Sequence, residues 1–219
     1  MKVGTDGVLL GAWTSLDHRP ESILDVGAGT GLIALQLAQR SPAETIDAIE
    51  LDGAAHGQCV FNFEGSPWGD RLFCYHASFE EFVDEIDDKY DLIVSNPPFY
   101  TEEMDSGSLS RDRARQNISL PFVDLIQGVA ALLSESGLFS VILPYREEDN
   151  FVTLAEAHGL HPRRLCRVKG NPALGFKRSL LEFGFVQTVP TVEELTIEED
   201  RHRYSADYIA LTREFYLKM

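Results

Sequence analysis

Short runs rich in valine and isoleucine alternate with helical patterns along most of this chain. Residues 22–26, 45–50 and 91–95 are three such runs, and each is followed by a turn or a helical stretch. Parallel strands need long crossover connections, usually helices, so the alternation predicts an α/β fold with a mostly parallel sheet. We expect seven strands with helices on both faces, and an antiparallel pair at one edge formed by residues 160–169 and 179–187. We treat residues 1–219 as a single domain.

A glycine-rich turn separates the first predicted strand from the helix that follows it. It reads Asp25-Val26-Gly27-Ala28-Gly29-Thr30-Gly31. Glycines let the backbone turn sharply and approach a ligand closely, and the helix N-terminus offers free N–H groups. The spacing is G-x-G-x-G, whereas the dinucleotide fingerprint is G-x-G-x-x-G. A tight turn without a ligand is the alternative interpretation.

An acid, Glu50, ends the second predicted strand. A carboxylate at this position can accept hydrogen bonds from both hydroxyls of a ribose. In isolation it would be read as a solvated acid, but the glycine turn beside it favours a ligand. A turn without phosphate-matched spacing, together with a ribose-binding acid, fits S-adenosylmethionine better than NAD.

The tetrapeptide Asn96-Pro97-Pro98-Phe99 follows the fourth predicted strand. Prolines donate no N–H and therefore end the strand, and open α/β sheets bind ligands at the carboxyl ends of their strands. The Asn96 amide oxygen and the Pro97 carbonyl are two acceptors that can hold the hydrogens of a planar amino group. A simple strand terminator explains the prolines but neither the asparagine nor the aromatic residue.

These motifs, in this order and spacing, resemble class I S-adenosylmethionine-dependent methyltransferases that act on amino groups. Residues 1–13, 177–182 and 215–218 narrow the resemblance to the bacterial tRNA(Val) (adenine-37 N6)-methyltransferases. The resemblance covers nearly the whole chain. It implies a Rossmann-like methyltransferase fold, S-adenosylmethionine as cofactor with S-adenosylhomocysteine as product, no metal, and a tRNA substrate. The family usually extends upstream of the Lys2 segment, which indicates a trimmed N-terminus or a misplaced start.

The resemblance also assigns roles to individual residues. It implies that the segment around Thr5 folds over the methionine part of the cofactor, that Glu50 binds its ribose, and that Ser78 contacts its adenine weakly or through the backbone. The predicted catalytic set is Asn96, Pro97, Pro98 and Phe99. The predicted cofactor set is Lys2, Gly4, Thr5, Asp25, Gly27, Gly29, Glu50, Leu51, Ser78, Phe79 and Asn96.

Four alternatives to an adenine-N6 enzyme remain open. Ribosomal RNA guanine-N2 methyltransferases also use N-P-P-F, whereas protein glutamine methyltransferases favour N-P-P-Y, so Phe99 argues mildly against the protein substrate. An NAD-dependent oxidoreductase is disfavoured by the glycine spacing. A non-catalytic cofactor-binding module is disfavoured because the tetrapeptide is intact.

The net charge of −16, from 35 acids and 19 bases, argues against non-specific binding to nucleic acid. The bases are nevertheless clustered in two segments, at residues 163–178, which contain no acid, and around residues 111–115. We expect the first to contact the RNA backbone and the second to close over the target base, with a solvated surface as the alternative. The predicted RNA-binding set is Arg111, Arg113, Arg115, Arg163, Arg164, Arg167, Lys169, Lys177 and Arg178.

Composition excludes several other classes of protein. Three scattered cysteines are too few for a disulfide framework or a zinc site. No apolar run approaches the roughly 18 residues of a membrane span, and the first residues lack the apolar region of a secretion signal. We expect a cytoplasmic protein with no metal and no obligate protein partner.

Overall fold

The computed structural model describes residues 4–98 and 120–217. Within them a single sheet of eight strands forms the centre of the fold. The strands are β1 (Ser22–Val26), β2 (Thr45–Ile49), β3 (Leu72–Tyr75), β4 (Tyr90–Ser95), β5 (Leu133–Pro144), β6 (His161–Lys169), β7 (Arg178–Gly184) and β8 (Thr191–Thr196). Their order across the sheet is β3-β2-β1-β4-β5-β7-β6-β8. Only β7 of these eight runs against its neighbours.

Helices cover both faces of the sheet. They are α1 (Thr5–Trp13), α2 (Leu32–Arg40), α3 (Gly53–Glu64), α4 (Phe79–Glu85), α5 (Phe122–Leu132), α6 (Glu148–Ala157) and α7 (Ala206–Thr212). Successive strand residues point to opposite faces, so Ile23 and Leu24 enter two different apolar clusters. The first cluster includes α1, α2, α3 and α7, and the second includes α4, α5 and α6. A small hairpin, β9 (Glu198–Asp200) with β10 (Arg203–Tyr204), precedes α7.

The predicted mostly parallel sheet, its two helical layers and the antiparallel pair of β6 and β7 are confirmed. The predicted count of seven strands is wrong, because β8 pairs in parallel with β6 and adds an eighth. The segment Thr191-Val192-Glu193-Glu194-Leu195-Thr196 carries two acids and buries only Leu195. An edge strand pairs on one side only and can stay exposed, so a segment this polar is not recognisable as a strand from its sequence.

Nowhere in residues 4–98 and 120–217 is a helix both long and apolar enough to cross a membrane. The same residues contain no group of three or more histidine, cysteine, aspartate or glutamate side chains placed to hold a metal ion.

Candidate functional site

Three candidate segments meet at the carboxyl edge of the sheet. In the β1 register, Val26 lies opposite Ile49 of β2 on one side and opposite Ser95 of β4 on the other. The glycine turn, Glu50 and Asn96 each begin at the residue after these partners, so the structure brings them side by side. The Ser95 hydroxyl strengthens the junction by donating to the Val26 carbonyl at 2.9 Å.

The glycine turn needs its glycines for two different reasons. Gly27 and Gly31 have φ of +72° and +80°, in the left-handed region that favours glycine. A Cβ on Gly31 would meet the Cys59 sulfur at 2.8 Å and the Phe63 ring at 2.5 Å, so this glycine permits α3 to pack closely. A Cβ on Gly27 would meet nothing within 4 Å. The space beside Gly27 is therefore open to a ligand.

Glu50 is held in place by backbone donors. Its Oε2 accepts from the Gly29 N–H at 2.7 Å and its Oε1 from the Asp52 N–H at 2.8 Å. A carboxylate has about four acceptor positions, so two remain for hydroxyl groups of a ligand. The next residue, Leu51, leaves 44% of its surface exposed and offers an apolar face beside that carboxylate.

Asp25 lies beneath the turn rather than on its surface. Its side chain is fully buried, and Oδ2 accepts from the Ala34 N–H of α2 at 3.1 Å. The other oxygen, Oδ1, has no hydrogen-bond partner among the described residues. Burial raises the pKa of this carboxyl to about 7, and the nearby Glu50 charge adds to the effect. Asp25 therefore joins β1 to α2. It stays a predicted cofactor residue only in the sense that it would position the glycine turn.

Two more residues of the predicted cofactor set follow β3. The Ser78 hydroxyl caps α4: it accepts from the Glu81 N–H at 3.2 Å and donates to the Glu81 carboxylate at 2.9 Å. The Phe79 side chain is buried against α5, where a Cβ on Gly128 would clash with its ring. Both side chains are committed to the fold, which leaves the backbone N–H groups at the start of α4 for any ligand contact.

The first described residues lie at the same edge. Gly4 and Thr5 are exposed where α1 begins, and Gly7 packs against Leu32 just after the glycine turn. Asp6, in the first turn of α1, accepts from the Arg178 Nε at 2.8 Å. Lys2 of the predicted cofactor set lies outside the described residues.

The tetrapeptide is described in part. Asn96 is half-buried, Pro97 is buried and Pro98 is exposed. Phe99 lies outside the described residues, as do Arg111, Arg113 and Arg115 of the predicted RNA-binding set, and the roles assigned to them stay predictions.

The basic segment at residues 163–178 is not free of acids in space. Four of its six cations form ion pairs with acids from other parts of the chain. The pairs are Arg164 with Glu182 at 3.6 Å, Arg167 with Glu148 at 2.7 Å, Lys169 with Glu194 at 3.4 Å and Arg178 with Asp6 at 2.8 Å. The expectation of one continuous basic strip needs correction: strand alternation sends Arg164 towards Trp13 on α1 and Arg167 towards Glu148 on α6. Arg163 and Lys177 are exposed.

Sequence reasoning missed the role of Glu148. This residue is 4% exposed, and its carboxylate accepts three hydrogen bonds from Arg167 and one from the Ser179 hydroxyl, so it joins α6 to β6 and β7. In the sequence it is one of three consecutive acids, Glu147, Glu148 and Asp149, and nothing in that pattern distinguishes it.

The fold is one that methyltransferases have. Residues 8–115 match the family model described as the methyltransferase small domain. The fold is similar to that of a predicted O-methyltransferase from Agrobacterium tumefaciens, with a TM-score of 0.71, 16% identity, and coverage of 95% of this chain and 96% of that one. It is also similar to the ribosomal protein L11 methylase from Lactobacillus delbrueckii, with a TM-score of 0.56, 17% identity, and coverage of 80% and 75%.

Curated relatives identify the family more closely. Proteins named tRNA1(Val) (adenine(37)-N6)-methyltransferase are 58% identical in Flavobacterium psychrophilum, 54% in Christiangramia forsetii and 38% in Pseudoalteromonas translucida. In each case all of this chain is aligned, with 94%, 92% and 93% of the relative. The chain belongs to the tRNA1(Val) (adenine(37)-N6)-methyltransferase family.

Proposed function

We propose that this protein transfers a methyl group from S-adenosylmethionine to N6 of an adenine in tRNA, and that the target is adenine 37 of tRNA(Val). The observation that carries the proposal is the position of Asn96 and Pro97 at the end of β4, beside the glycine turn and Glu50. Full-length relatives at 38–58% identity that bear this activity in their names support the choice of substrate.

The residues at the edge fit S-adenosylmethionine. The open space at Gly27 and the exposed residues Gly4 and Thr5 suit its methionine part. Glu50, fixed by two backbone donors, suits a ribose, and Leu51 with the start of α4 suits an adenine. When bound, the cofactor supplies a methyl group on a positively charged sulfur, which is electrophilic enough to need no metal.

Asn96 and Pro97 would activate adenine N6, which is a weak nucleophile. The lone pair on adenine N6 is delocalised into the ring, so this nitrogen reacts poorly. The Asn96 amide oxygen and the Pro97 carbonyl would accept the two N6 hydrogens, which favours a pyramidal nitrogen and stabilises the positive charge that develops on it. The N6 proton becomes acidic only after the transfer, so the reaction needs no strong general base.

The target base must leave its stack to reach Asn96, as enzymes that act on bases require. Phe99 would stack on the displaced base. Lys177, exposed just before β7 at the carboxyl edge, is the member of the basic segment best placed to contact RNA phosphates, whereas Arg163 lies beside Gly184 at the other end of the sheet. A tRNA substrate also implies that the enzyme works in the cytoplasm.

The test is mass spectrometry of nucleosides from an unmodified tRNA(Val) transcript incubated with the protein and S-adenosylmethionine. We expect one N6-methyladenosine per transcript, mapped to position 37 by nuclease fragments. N2-methylguanosine would instead support the guanine alternative. Methyl transfer to added protein with unmodified RNA would support the glutamine alternative.

A further inference from the structure

Two aromatic rings lie against each other at the carboxyl edge, outside the predicted cofactor and catalytic sets. Tyr145 begins the 3-10 turn Tyr145–Glu147 after β5, and Phe176 lies in the loop before β7. Their ring centroids are 5.2 Å apart, and the Tyr145 N–H fastens the two segments by donating to the Lys177 carbonyl at 3.1 Å. Tyr145 remains 36% exposed and Phe176 half-buried. The two ring planes are tilted by 55°, so a base that stacks on one ring would meet the other at an angle, and solvent can reach both.

Two cationic side chains of β6 lie against these rings. The Arg167 guanidinium lies 5.6 Å from the Tyr145 ring centroid, and the Lys169 ammonium lies 5.4 Å from that of Phe176. Arg167 is in turn fixed by the buried Glu148 carboxylate, and Lys169 pairs with Glu194. The Tyr145 ring is therefore supported by a cation that a buried carboxylate holds in place, so little conformational freedom would be lost when a ligand binds it.

The pair lies on the substrate side of the site. β5 is the neighbour of β4, Ser95 is paired with Val141, and β5 ends at Pro144 immediately before Tyr145. Of the proposed cofactor residues, the glycine turn, Glu50 and the start of α4 follow β1, β2 and β3, on the opposite side of β4, whereas Gly4 and Thr5 lie where α1 begins. A base held at Asn96 would thus have the cofactor on one side and the Tyr145–Phe176 pair on the other.

The charge distribution explains why such a surface would be needed. The chain carries a net charge of −16, and four of the six cations in the basic segment are already in ion pairs. Phosphate contacts alone then provide limited affinity. Stacking of bases on aromatic side chains adds affinity and depends little on charge. We propose that Tyr145 and Phe176 form a stacking platform for the unpaired base that neighbours the target adenine in the tRNA loop, an inference that rests on the proposed function.

The first test measures KM for an unmodified tRNA(Val) transcript, together with cofactor affinity, in Tyr145→Leu and Phe176→Leu. Loss of one stacked base predicts a rise in KM of about 5- to 150-fold with cofactor affinity unchanged. Tyr145→Phe keeps the ring and should retain the KM of the wild-type protein. Phe73→Leu, which alters an exposed aromatic residue on β3, is the matched control.

Abasic transcripts then distinguish a stacking role from a structural one. If the platform binds a neighbouring base, removing the base at position 36 or 38 raises KM in the wild-type protein and adds nothing further in Tyr145→Leu. Fully additive effects at both positions, or a KM within twofold of wild type in both leucine variants, would overturn the platform. The same variants are also compared by their binding affinity for the transcript, because KM can be measured only for an active enzyme. Wild-type protein that binds the transcript without methylating it would overturn the proposed function, and an unchanged affinity in both leucine variants would then overturn the platform as well.

Discussion

The two halves of the carboxyl edge are built in different ways. Around β1 and β2, polar groups are fixed by the backbone of nearby segments, as when the Gly29 and Asp52 N–H groups hold Glu50. Around β5, β6 and β7, side chains from distant segments hold one another, as when Glu148 binds both Arg167 and Ser179. We call the first the cofactor half, after its proposed ligand, and the second the network half, after its side-chain contacts. Asn96 follows the strand between them.

The largest expected effect is that of Asn96→Ala, at the junction of the two halves. Loss of an acceptor that stabilises charge only during the transfer should lower the single-turnover rate by roughly 10²- to 10³-fold. Cofactor affinity, measured by calorimetry, should stay within a few-fold of wild type. An equal loss of rate and cofactor affinity would instead assign Asn96 to the cofactor half.

Glu50→Ala should affect the cofactor half alone. Loss of charge-assisted hydrogen bonds to the ribose hydroxyls predicts weaker cofactor binding by about 2–3 kcal/mol, or roughly 30- to 150-fold. Binding of a tRNA transcript without cofactor should be unaffected. Because the variant also leaves the Gly29 and Asp52 N–H groups without this acceptor, a thermal melt must accompany the titration. Unchanged cofactor affinity in a folded variant would refute the ribose assignment.

Asp25, in the cofactor half, should make the stability of the folded protein depend on pH. Burial raises its pKa from 3.8 to about 7, so the folded state binds this proton more tightly than the unfolded state. The stability contributed by the protonated carboxyl is present below about pH 4 and is lost as the pH rises to about 7. Asp25→Asn should therefore reduce the fall in Tm between pH 5 and pH 8 by several degrees.

The exposed Asp70→Asn is the control for that experiment. Identical pH profiles for wild type and Asp25→Asn would show that this carboxyl is already ionised at pH 5.

The smallest effect is expected from Lys177→Gln, in the network half. This exposed lysine should contribute about one phosphate contact, so the slope of log affinity against log salt for tRNA binding should become shallower by about 0.7–0.9. The exposed Arg201→Gln serves as control. Arg178 is unsuitable for this purpose, because its ion pair with Asp6 connects it to α1 in the cofactor half. Superimposable slopes would make Lys177 a solvated residue.

The difference between the halves also decides what the sequence could predict. The glycine turn, Glu50 and Asn96 each follow a strand whose apolar pattern is clear, and the parallel register aligns them without further information. Phe79 shows the limit even there, because its burial against Gly128 depends on α5, which is remote in sequence.

The network half could not be predicted in this way. The basic segment itself contains no acids, yet acids from outside it, Asp6, Glu148, Glu182 and Glu194, pair with four of its cations. Their pairing depends on strand order, and β8 was itself absent from the predicted sheet. Tyr145 and Phe176 are separated by 31 positions and meet only because β5 and β7 are neighbours.

Asn96 and Pro97 are expected to hold the amino group of adenine 37. Single-turnover transfer of labelled methyl can be compared for a tRNA(Val) transcript and for the same transcript with purine riboside, which lacks the amino group, at position 37. We predict that transfer disappears and that wild-type affinity falls by up to about tenfold, the loss of one hydrogen bond, whereas Asn96→Ala binds the two transcripts with more nearly equal affinity. Undiminished transfer to the altered transcript, or the same loss of affinity in wild type and Asn96→Ala, would contradict this role.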